Sequence, residues 1–186
     1  MIRSSDTRWG LPSRTLHWLT VLLITVTVPI GAYMGDLPTG MQKLRVFALH
    51  KSIGVTILGL VVLRALWRLV DSRPQKAAMP PWQAQAANTL QLLLYVLLFA
   101  VPLCGWAANS AAGFPLQWFG LVNLPSLTAA DKARHELLLD VHGWLAWTLV
   151  IFATGHGAMA LKHHFIDKDH TLRSMLPLPR GKGGGP

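Results

Sequence analysis

The sequence is poor in cysteine and in charge, and each scarcity narrows the range of possible proteins. Its single cysteine, Cys104, excludes an internal disulfide and any metal cluster held by cysteines alone. Charged residues account for only 13% of the 186 residues, about half the share in a soluble globular domain, whereas hydrophobic residues account for 52%. This composition argues against a water-soluble enzyme and favours a protein embedded in a membrane.

Acidic residues are fewer than basic residues. The sequence has 8 Asp and Glu and 17 Lys and Arg, which gives a net charge of +9. A basic excess can indicate a nucleic-acid-binding protein. Here the basic residues lie at the ends of apolar stretches and form no stripe. We therefore expect no nucleic-acid partner and expect contact with membrane lipid, since cytoplasmic loops of membrane proteins collect Lys and Arg.

Four apolar stretches are long enough to cross a bilayer, which takes about 20 residues in a helix. Residues 15–35 and 141–161 each comprise 21 residues without charge, and residues 77–130 contain none over 54. We predict an all-α, membrane-embedded four-helix bundle formed by residues 1–176, followed by a disordered tail at 177–186. The predicted spans lie near residues 14–34, 46–70, 88–108 and 139–162.

The first and third spans each contain a proline, Pro29 and Pro102, which predicts a bend in each helix. A signal peptide is the alternative for the first span. No small-residue cleavage site of the A-x-A kind is present, so we interpret this span as a retained helix. Residues 114–125, FPLQWFGLVNLP, are predicted to be an aromatic-rich segment lying at the membrane interface.

The basic residues also predict the orientation. With four spans, both termini lie on one side of the membrane, together with the connection between spans two and three. That side carries twelve Lys and Arg residues, and the other side carries five. The positive-inside rule therefore places both termini in the cytoplasm. The five cations of the outer side are Lys43, Arg45, Lys51, Lys132 and Arg134.

Four of the eight histidines lie in or at the edge of the apolar spans, namely His17, His50, His142 and His156. An ionisable side chain at this depth is costly, so each is a candidate functional residue. His142 and His156 are 14 residues apart, which places them about 40° apart around one helix and roughly 21 Å apart along it. Matched by depth, His17 and His156 share the inner level, and His50 and His142 share the outer level.

Two imidazoles from facing helices at one level are the ligand set of a six-coordinate b-type haem. The sequence therefore predicts two haems, held without a covalent bond because no C-x-x-C-H attachment motif is present. Iron bonded from both sides favours electron transfer over oxygen binding. The alternatives are that these histidines are hydrogen-bonded structural residues or that they bind zinc, although neither level supplies three ligands within the spans.

Arg64 follows His50 by 14 residues and therefore lies on the same helix face at the inner level. There it can pair with haem propionates, or it can simply extend its charged end to the interface. His163 and His164 follow the fourth span and are candidates for contact with a quinone head group. The alternative is that these two are hydrated interfacial side chains.

The remaining candidates are less specific. His135 and His170 are expected to be loop residues without a role, and Met34 is interpreted as a packing residue. Five glycines in the spans can admit a flat macrocycle or can allow close helix packing. They are Gly54, Gly59, Gly143, Gly155 and Gly157.

Five segments together carry a family resemblance. They are RTLHWL at 14–19, ALHKSIG at 48–54, VHGWL at 141–145, GHGAMALKHHF at 155–165 and KDHTLRSM at 168–175. Over about residues 8–176 the chain resembles the bacterial cytochrome b561 family of small di-haem inner-membrane proteins. The resemblance implies a bacterial inner-membrane bundle that binds two b haems through four histidines, which correspond by position to His17, His50, His142 and His156.

The family includes a superoxide oxidase, which passes electrons from superoxide through its haems to ubiquinone. The resemblance thus implies a superoxide:ubiquinone oxidoreductase that oxidises superoxide on the outer side. The outer cations can steer this anion, but four outer acids leave that side with a net charge of only +1, so any steering is local. The alternative is a non-enzymatic electron-transfer subunit that connects the quinone pool to a partner redox protein. No catalytic residue is assigned in either case.

Overall fold

The computed structural model describes residues 2–72, 74 and 79–176. The long helices are α1 (Leu11–Met34), α2 (Met41–Val70), α3 (Pro81–Ala111) and α4 (Lys132–Phe165). The shorter elements are β1 (Leu116–Trp118), β2 (Val122–Leu124) and α5 (Thr171–Met175). Each of the four long helices is long and apolar enough to cross a membrane, which confirms the predicted all-α membrane bundle.

All four helices begin earlier than the spans that were predicted from hydropathy. α1 begins at Leu11 instead of residue 14, α2 at Met41 instead of 46, α3 at Pro81 instead of 88, and α4 at Lys132 instead of 139. Hydropathy marks the part of a helix within hydrocarbon, whereas backbone hydrogen bonding continues through the polar interface. Local start signals support the longer helices, since a proline opens α3 and the Asp131 carboxylate accepts a hydrogen bond from the Arg134 amide at 2.7 Å.

Some predictions fall outside the described residues. These include the disordered tail at 177–186 and four of the basic residues that were counted on the inner side: Arg73, Lys76, Arg180 and Lys182. The prolines are described, and both α1 and α3 continue past Pro29 and Pro102. The predicted limit of the domain at residue 176 stays a prediction.

The helices pack in chain order, α1 against α2, α2 against α3 and α3 against α4. The buried apolar centre of the bundle comprises Ile53, Ile57, Val61, Leu97, Leu98 and Leu149. On the outside of the bundle large apolar side chains stay exposed, including Leu92 at 65% and Ile151 at 67% of their surface. Such faces are stable when lipid covers them, because lipid provides the apolar surroundings that water does not.

One end of the bundle, here called the hairpin end, carries the two short strands. The strands are antiparallel, with Leu116 opposite Leu124 and Trp118 opposite Val122. The hairpin rests on the start of α2, where the Phe119 amide donates to Ser52 Oγ at 2.9 Å. Sequence analysis predicted an interfacial segment here and no strands. The missed signal was Gly120, which adopts a positive φ of 72° in the turn between the strands.

The opposite end, here called the terminal end, holds both ends of the described chain together. Ser4 donates to the Asp71 carboxylate from its amide at 2.9 Å and from its hydroxyl at 2.6 Å, and the Ser13 hydroxyl donates to it at 2.7 Å. The Trp18 indole donates to the Met175 carbonyl at 2.9 Å. Residues 4–10, the N-terminal strap, therefore lie across the end of α2 and beside α5.

We predict that Asp71→Ala loosens the N-terminal strap. Burial acts to raise the pKa of the Asp71 carboxyl, but hydrogen bonds from Ser4 and Ser13 outweigh it and hold that pKa below its usual 3.8. The stabilising contribution is therefore complete at neutral pH and is lost as the pH falls through the lowered pKa. For a partly exposed carboxylate we expect about 1 kcal/mol, or about fivefold faster tryptic cleavage after Arg8.

The matched control is Asp6→Ala, because Asp6 lies exposed in the same strap. This variant should be cleaved at the rate of the unmodified protein. Equal cleavage of the Asp71→Ala and Asp6→Ala variants at pH 7 would show that the Asp71 carboxylate does not hold the strap.

Candidate functional site

The four span histidines form two facing pairs. The rings of His17 and His156 have centres 6.4 Å apart, and those of His50 and His142 have centres 6.2 Å apart. The first pair joins α1 to α4 near the terminal end, and the second joins α2 to α4 near the hairpin end. These are the pairs that the spacing in the sequence predicted. The role of the rings as metal ligands stays a prediction.

The ring spacing fits two imidazoles that share one metal ion between them. An imidazole nitrogen lies about 2 Å from a bound metal and about 1 Å from its own ring centre, so two axial rings have centres roughly 6 Å apart. The ring planes are crossed, at 79° in the terminal-end pair and 86° in the hairpin-end pair. Within the described residues no third histidine, cysteine or carboxylate joins either pair, which disfavours a zinc site.

Backbone carbonyls orient the hairpin-end pair. His50 Nδ1 lies 3.2 Å from the carbonyl oxygen of Thr27, and His142 Nδ1 lies 2.9 Å from that of Val101. A Nδ1–H that donates to a carbonyl leaves the Nε2 lone pair free to bind a metal. Sequence analysis did not identify these two contacts, since a backbone acceptor leaves no trace in residue type.

Two glycines contact the same rings. A Cβ added at Gly31 would lie 2.8 Å from the His50 ring, and one added at Gly105 would lie 3.0 Å from the His142 ring. Neither glycine was among the five that the sequence singled out. At those five positions an added Cβ would meet no atom within 4 Å, so the packing alternative finds no contact that supports it.

The terminal-end pair has different surroundings. His17 Nδ1 is buried without a hydrogen-bond partner among the described residues, and its ring packs against Trp18 with the ring centres 5.3 Å apart. Arg64 lies towards the same end of the bundle, on α2. The Arg64 guanidinium lies 5.4 Å from the centre of the Tyr95 ring, and within the described residues it makes no ion pair with a carboxylate.

A small open pocket lies at the terminal end, lined by Arg64, Tyr95 and Asp71 among others. Its polar lining includes Arg68, which donates to Gln91 Oε1 at 3.1 Å and faces the Tyr95 ring at 5.7 Å. The Tyr95 hydroxyl is buried without a partner among the described residues. Guanidinium and hydroxyl groups bind anions, although the Asp71 carboxylate also lines this pocket. Sequence analysis found Arg64 but missed Arg68, although a position four residues later on a helix lies on the same face.

His163 and His164 lie at the end of α4. His163 Nδ1 contacts the carboxylates of Asp169 at 2.8 Å and Asp167 at 3.1 Å. Burial acts to raise the pKa of Asp169, but hydrogen bonds from Thr171 and the contact with His163 outweigh it and lower that pKa. His164 Nδ1 is buried without a partner. Their contact with a quinone stays a prediction.

Two further histidines were expected in loops. For His135 this was wrong, because it lies in the first turn of α4 and its Nδ1 is 2.8 Å from the Ala108 carbonyl oxygen. The Ala108 carbonyl at the end of α3 also accepts from the Ala112 amide at 3.1 Å, so His135 is its second contact. His170 precedes α5 as its N-cap residue.

The lysines of the hairpin end differ in whether a carboxylate pairs with them. Lys51 is half-buried next to His50 in sequence and donates to Asn109 Oδ1 at 3.0 Å. Lys43 donates to the carbonyls of Gly35 and Leu37, each at 2.9 Å. These partners are neutral, and within the described residues neither lysine pairs with a carboxylate. By contrast, Lys132 is 90% exposed and pairs with Glu136 at 3.8 Å.

Comparison with known proteins gives a consistent result. Residues 8–178 match the family described as prokaryotic cytochrome b561. The chain is 37% identical over 172 residues to cytochrome b561 homolog 2 of Escherichia coli strain K12, covering 91% of each chain. It is 31% identical over 168 residues to a probable superoxide oxidase, CybB, of Yersinia pestis, covering 89% of this chain and 94% of that one. Cytochrome b561 homolog 1 of E. coli is 29% identical over 164 residues, covering 87% of this chain and 93% of its own.

Proposed function

The chain belongs to the prokaryotic cytochrome b561 family, and on that premise we propose that it moves electrons across the bilayer through two b-type haems. Membership makes the chain a multi-pass membrane protein of electron transfer and implies that it binds haem b. The observation that carries the proposal is the presence of two facing imidazole pairs at two levels of the bundle, each with the ring spacing of axial ligands.

The residues of the chain fit this cofactor at both levels. His17 and His156 would hold one haem, and His50 and His142 the other. When bound, haem iron supplies reversible one-electron oxidation and reduction. Arg64 would bind propionate, because a buried guanidinium without a carboxylate partner is stabilised by an anion. Arg68 and the Tyr95 hydroxyl line the same pocket and would extend this anion site.

We propose that the terminal end faces the cytoplasm and that the hairpin end faces the outside of a bacterial inner membrane. The basis is the excess of basic residues at the termini. The electron donor is proposed to be superoxide, and the similarity to a probable superoxide oxidase supports this choice. Charge gives a second reason, since superoxide is an anion and Lys51, which follows His50 in the sequence, pairs with no carboxylate among the described residues.

Ubiquinone is the proposed acceptor. Two superoxide anions each give up one electron and become O₂, and one ubiquinone takes those two electrons with two protons and becomes ubiquinol. His163 and His164 would supply hydrogen bonds or protons to the quinone head group. Of the two, His164 is the better donor or acceptor for a quinone, since its Nδ1 has no hydrogen-bond partner among the described residues, whereas His163 contacts Asp167 and Asp169.

We predict two haems per chain, lost in pairs defined by level. Replacing His17 or His156 by alanine should remove the same spectral component, because each variant removes one ligand of one iron. Replacing His50 or His142 should remove the other component. The measurements are a pyridine haemochrome assay and reduced-minus-oxidised spectra. His135→Ala is the control and should keep both components; one haem in the fully loaded, unmodified protein would contradict the proposal.

The crossed ring planes predict the spectroscopic class of the ferric protein. When the two axial imidazole planes are nearly perpendicular, two iron d orbitals are close in energy and the low-spin signal becomes strongly anisotropic. Angles of 79° and 86° place both haems in this class. Low-temperature EPR should therefore show two highly anisotropic low-spin signals. Signals of modest anisotropy, as parallel rings give, would contradict the ring geometry.

We predict that Lys51→Gln slows haem reduction by superoxide about fivefold at low salt, because one unit charge near the site contributes about 1 kcal/mol in water. The decrease should vanish at high salt, since salt screens exposed charges. Lys132→Gln is the matched control and should change the rate little, because Glu136 neutralises Lys132. Stopped-flow absorbance with ubiquinone present measures both rates.

Equal rates for the Lys51→Gln and Lys132→Gln variants would exclude a role of Lys51 in guiding the anion. A haem-loaded protein that superoxide does not reduce would overturn the superoxide reaction. The chain would then be an electron-transfer subunit that takes electrons from a partner redox protein.

A further inference from the structure

Helices α1 and α3 present similar arrangements to the hairpin-end histidines, with the difference that the Thr27 hydroxyl on α1 also lies 3.2 Å from His50 Nδ1. On α1, the Thr27 carbonyl contacts His50 Nδ1 and Gly31 lies against the same ring. On α3, the Val101 carbonyl contacts His142 Nδ1 and Gly105 lies against that ring. In both cases the glycine follows the carbonyl residue by four positions. One helical turn therefore supplies both the hydrogen-bond acceptor and the space for the ring.

The glycine contacts are specific to the rings. At Gly31 and at Gly105 the three atoms nearest to an added Cβ all belong to the imidazole of the facing histidine. A methyl group at 2.8 to 3.0 Å from ring Cε1 would push the ring away, because real Cβ contacts are longer. Plain helix packing would instead bring other side chains or backbone close to these positions.

The two histidine pairs differ in the hydrogen bonds of their imidazole rings and in the charged groups near them. At the hairpin end, donation from Nδ1–H to a carbonyl makes the imidazole a stronger electron donor, which stabilises ferric iron and lowers the reduction potential. At the terminal end His17 Nδ1 has no hydrogen-bond partner among the described residues, and the Arg64 guanidinium lies at this end of the bundle, 5.4 Å from the centre of the Tyr95 ring. A nearby cation stabilises the reduced state, since reduction removes one positive charge.

We propose that Gly31 and Gly105 are positioning residues that hold His50 and His142 against backbone acceptors, and that this makes the hairpin-end haem the lower in potential of the two. Electrons then move downhill from the hairpin end to the terminal end. This inference rests on the proposed function, because it requires a haem at each histidine pair. It adds a built-in direction that the histidine pairs alone do not give.

The first test replaces each glycine by alanine. Gly31→Ala and Gly105→Ala should each weaken the same spectral component, or raise its midpoint potential, and should leave the terminal-end component unchanged. Gly35→Ala is the matched control on α1. Gly35 is the exposed C-cap residue of α1, it has a negative φ of −62°, and an added Cβ there meets no atom within 4 Å. The readouts are haem content, EPR and a spectroelectrochemical titration.

The second test keeps the inference falsifiable if the alanine variants do not assemble. Arg64→Gln should lower the higher of the two midpoint potentials and leave the lower one in place, whereas Arg64→Lys should keep the potential nearer to that of the unmodified protein. A shift of the lower potential instead would reverse the proposed order. Unchanged spectra and potentials in both glycine variants would overturn the positioning role.

These outcomes separate the two proposals. If the unmodified protein binds fewer than two haems, the proposed function fails and the inference fails with it. If two haems with bis-histidine EPR signals are present but the glycine and Arg64 variants do not move the potentials as stated, only the inference fails.

Discussion

The facing imidazole pairs are the contacts on which the rest of this molecule depends. An imidazole inside a bilayer is costly unless its polar atoms are bound. The hairpin-end rings meet this requirement at Nδ1 through backbone carbonyls, and in the proposed function a metal would bind their other nitrogen. His17, by contrast, has a buried Nδ1 without a partner among the described residues. Four helices of membrane-spanning length thus form the bundle, and the histidine pairs determine what that bundle is expected to bind.

The two ends of the bundle are built for different tasks. The hairpin end has backbone acceptors for its histidines and half-buried Lys51 beside them. The terminal end has paired guanidinium groups, an open pocket and the N-terminal strap that Asp71 holds in place. Hydrogen-bonded imidazoles at one level and the Arg64 guanidinium at the other are the difference on which the proposed direction of electron transfer rests. This difference between the two ends depends on which backbone groups pack against the imidazole rings as much as on which residue types are present.

Sequence reasoning located the span histidines because period and depth follow from helix geometry alone. The 14-residue spacing of His142 and His156 on one helix was sufficient to assign the levels. It failed where a contact of a histidine depends on a backbone group, or on the close approach of a glycine from another helix. The carbonyls of Thr27 and Val101 carry no signature, and the choice of Gly31 and Gly105 over other glycines depends on which ring faces them. The hairpin was missed because its strands are three residues long, too short for a clear alternation.

The most direct test of the central claim is to locate the iron atoms by anomalous diffraction from crystals of the haem-loaded protein. We predict two iron positions in each chain, one between His17 and His156 and one between His50 and His142. They should lie roughly 20 Å apart along the bundle, because 14 helical residues separate the two ligands on α4. A single iron position, or an iron bound by histidines from different levels, would contradict the account.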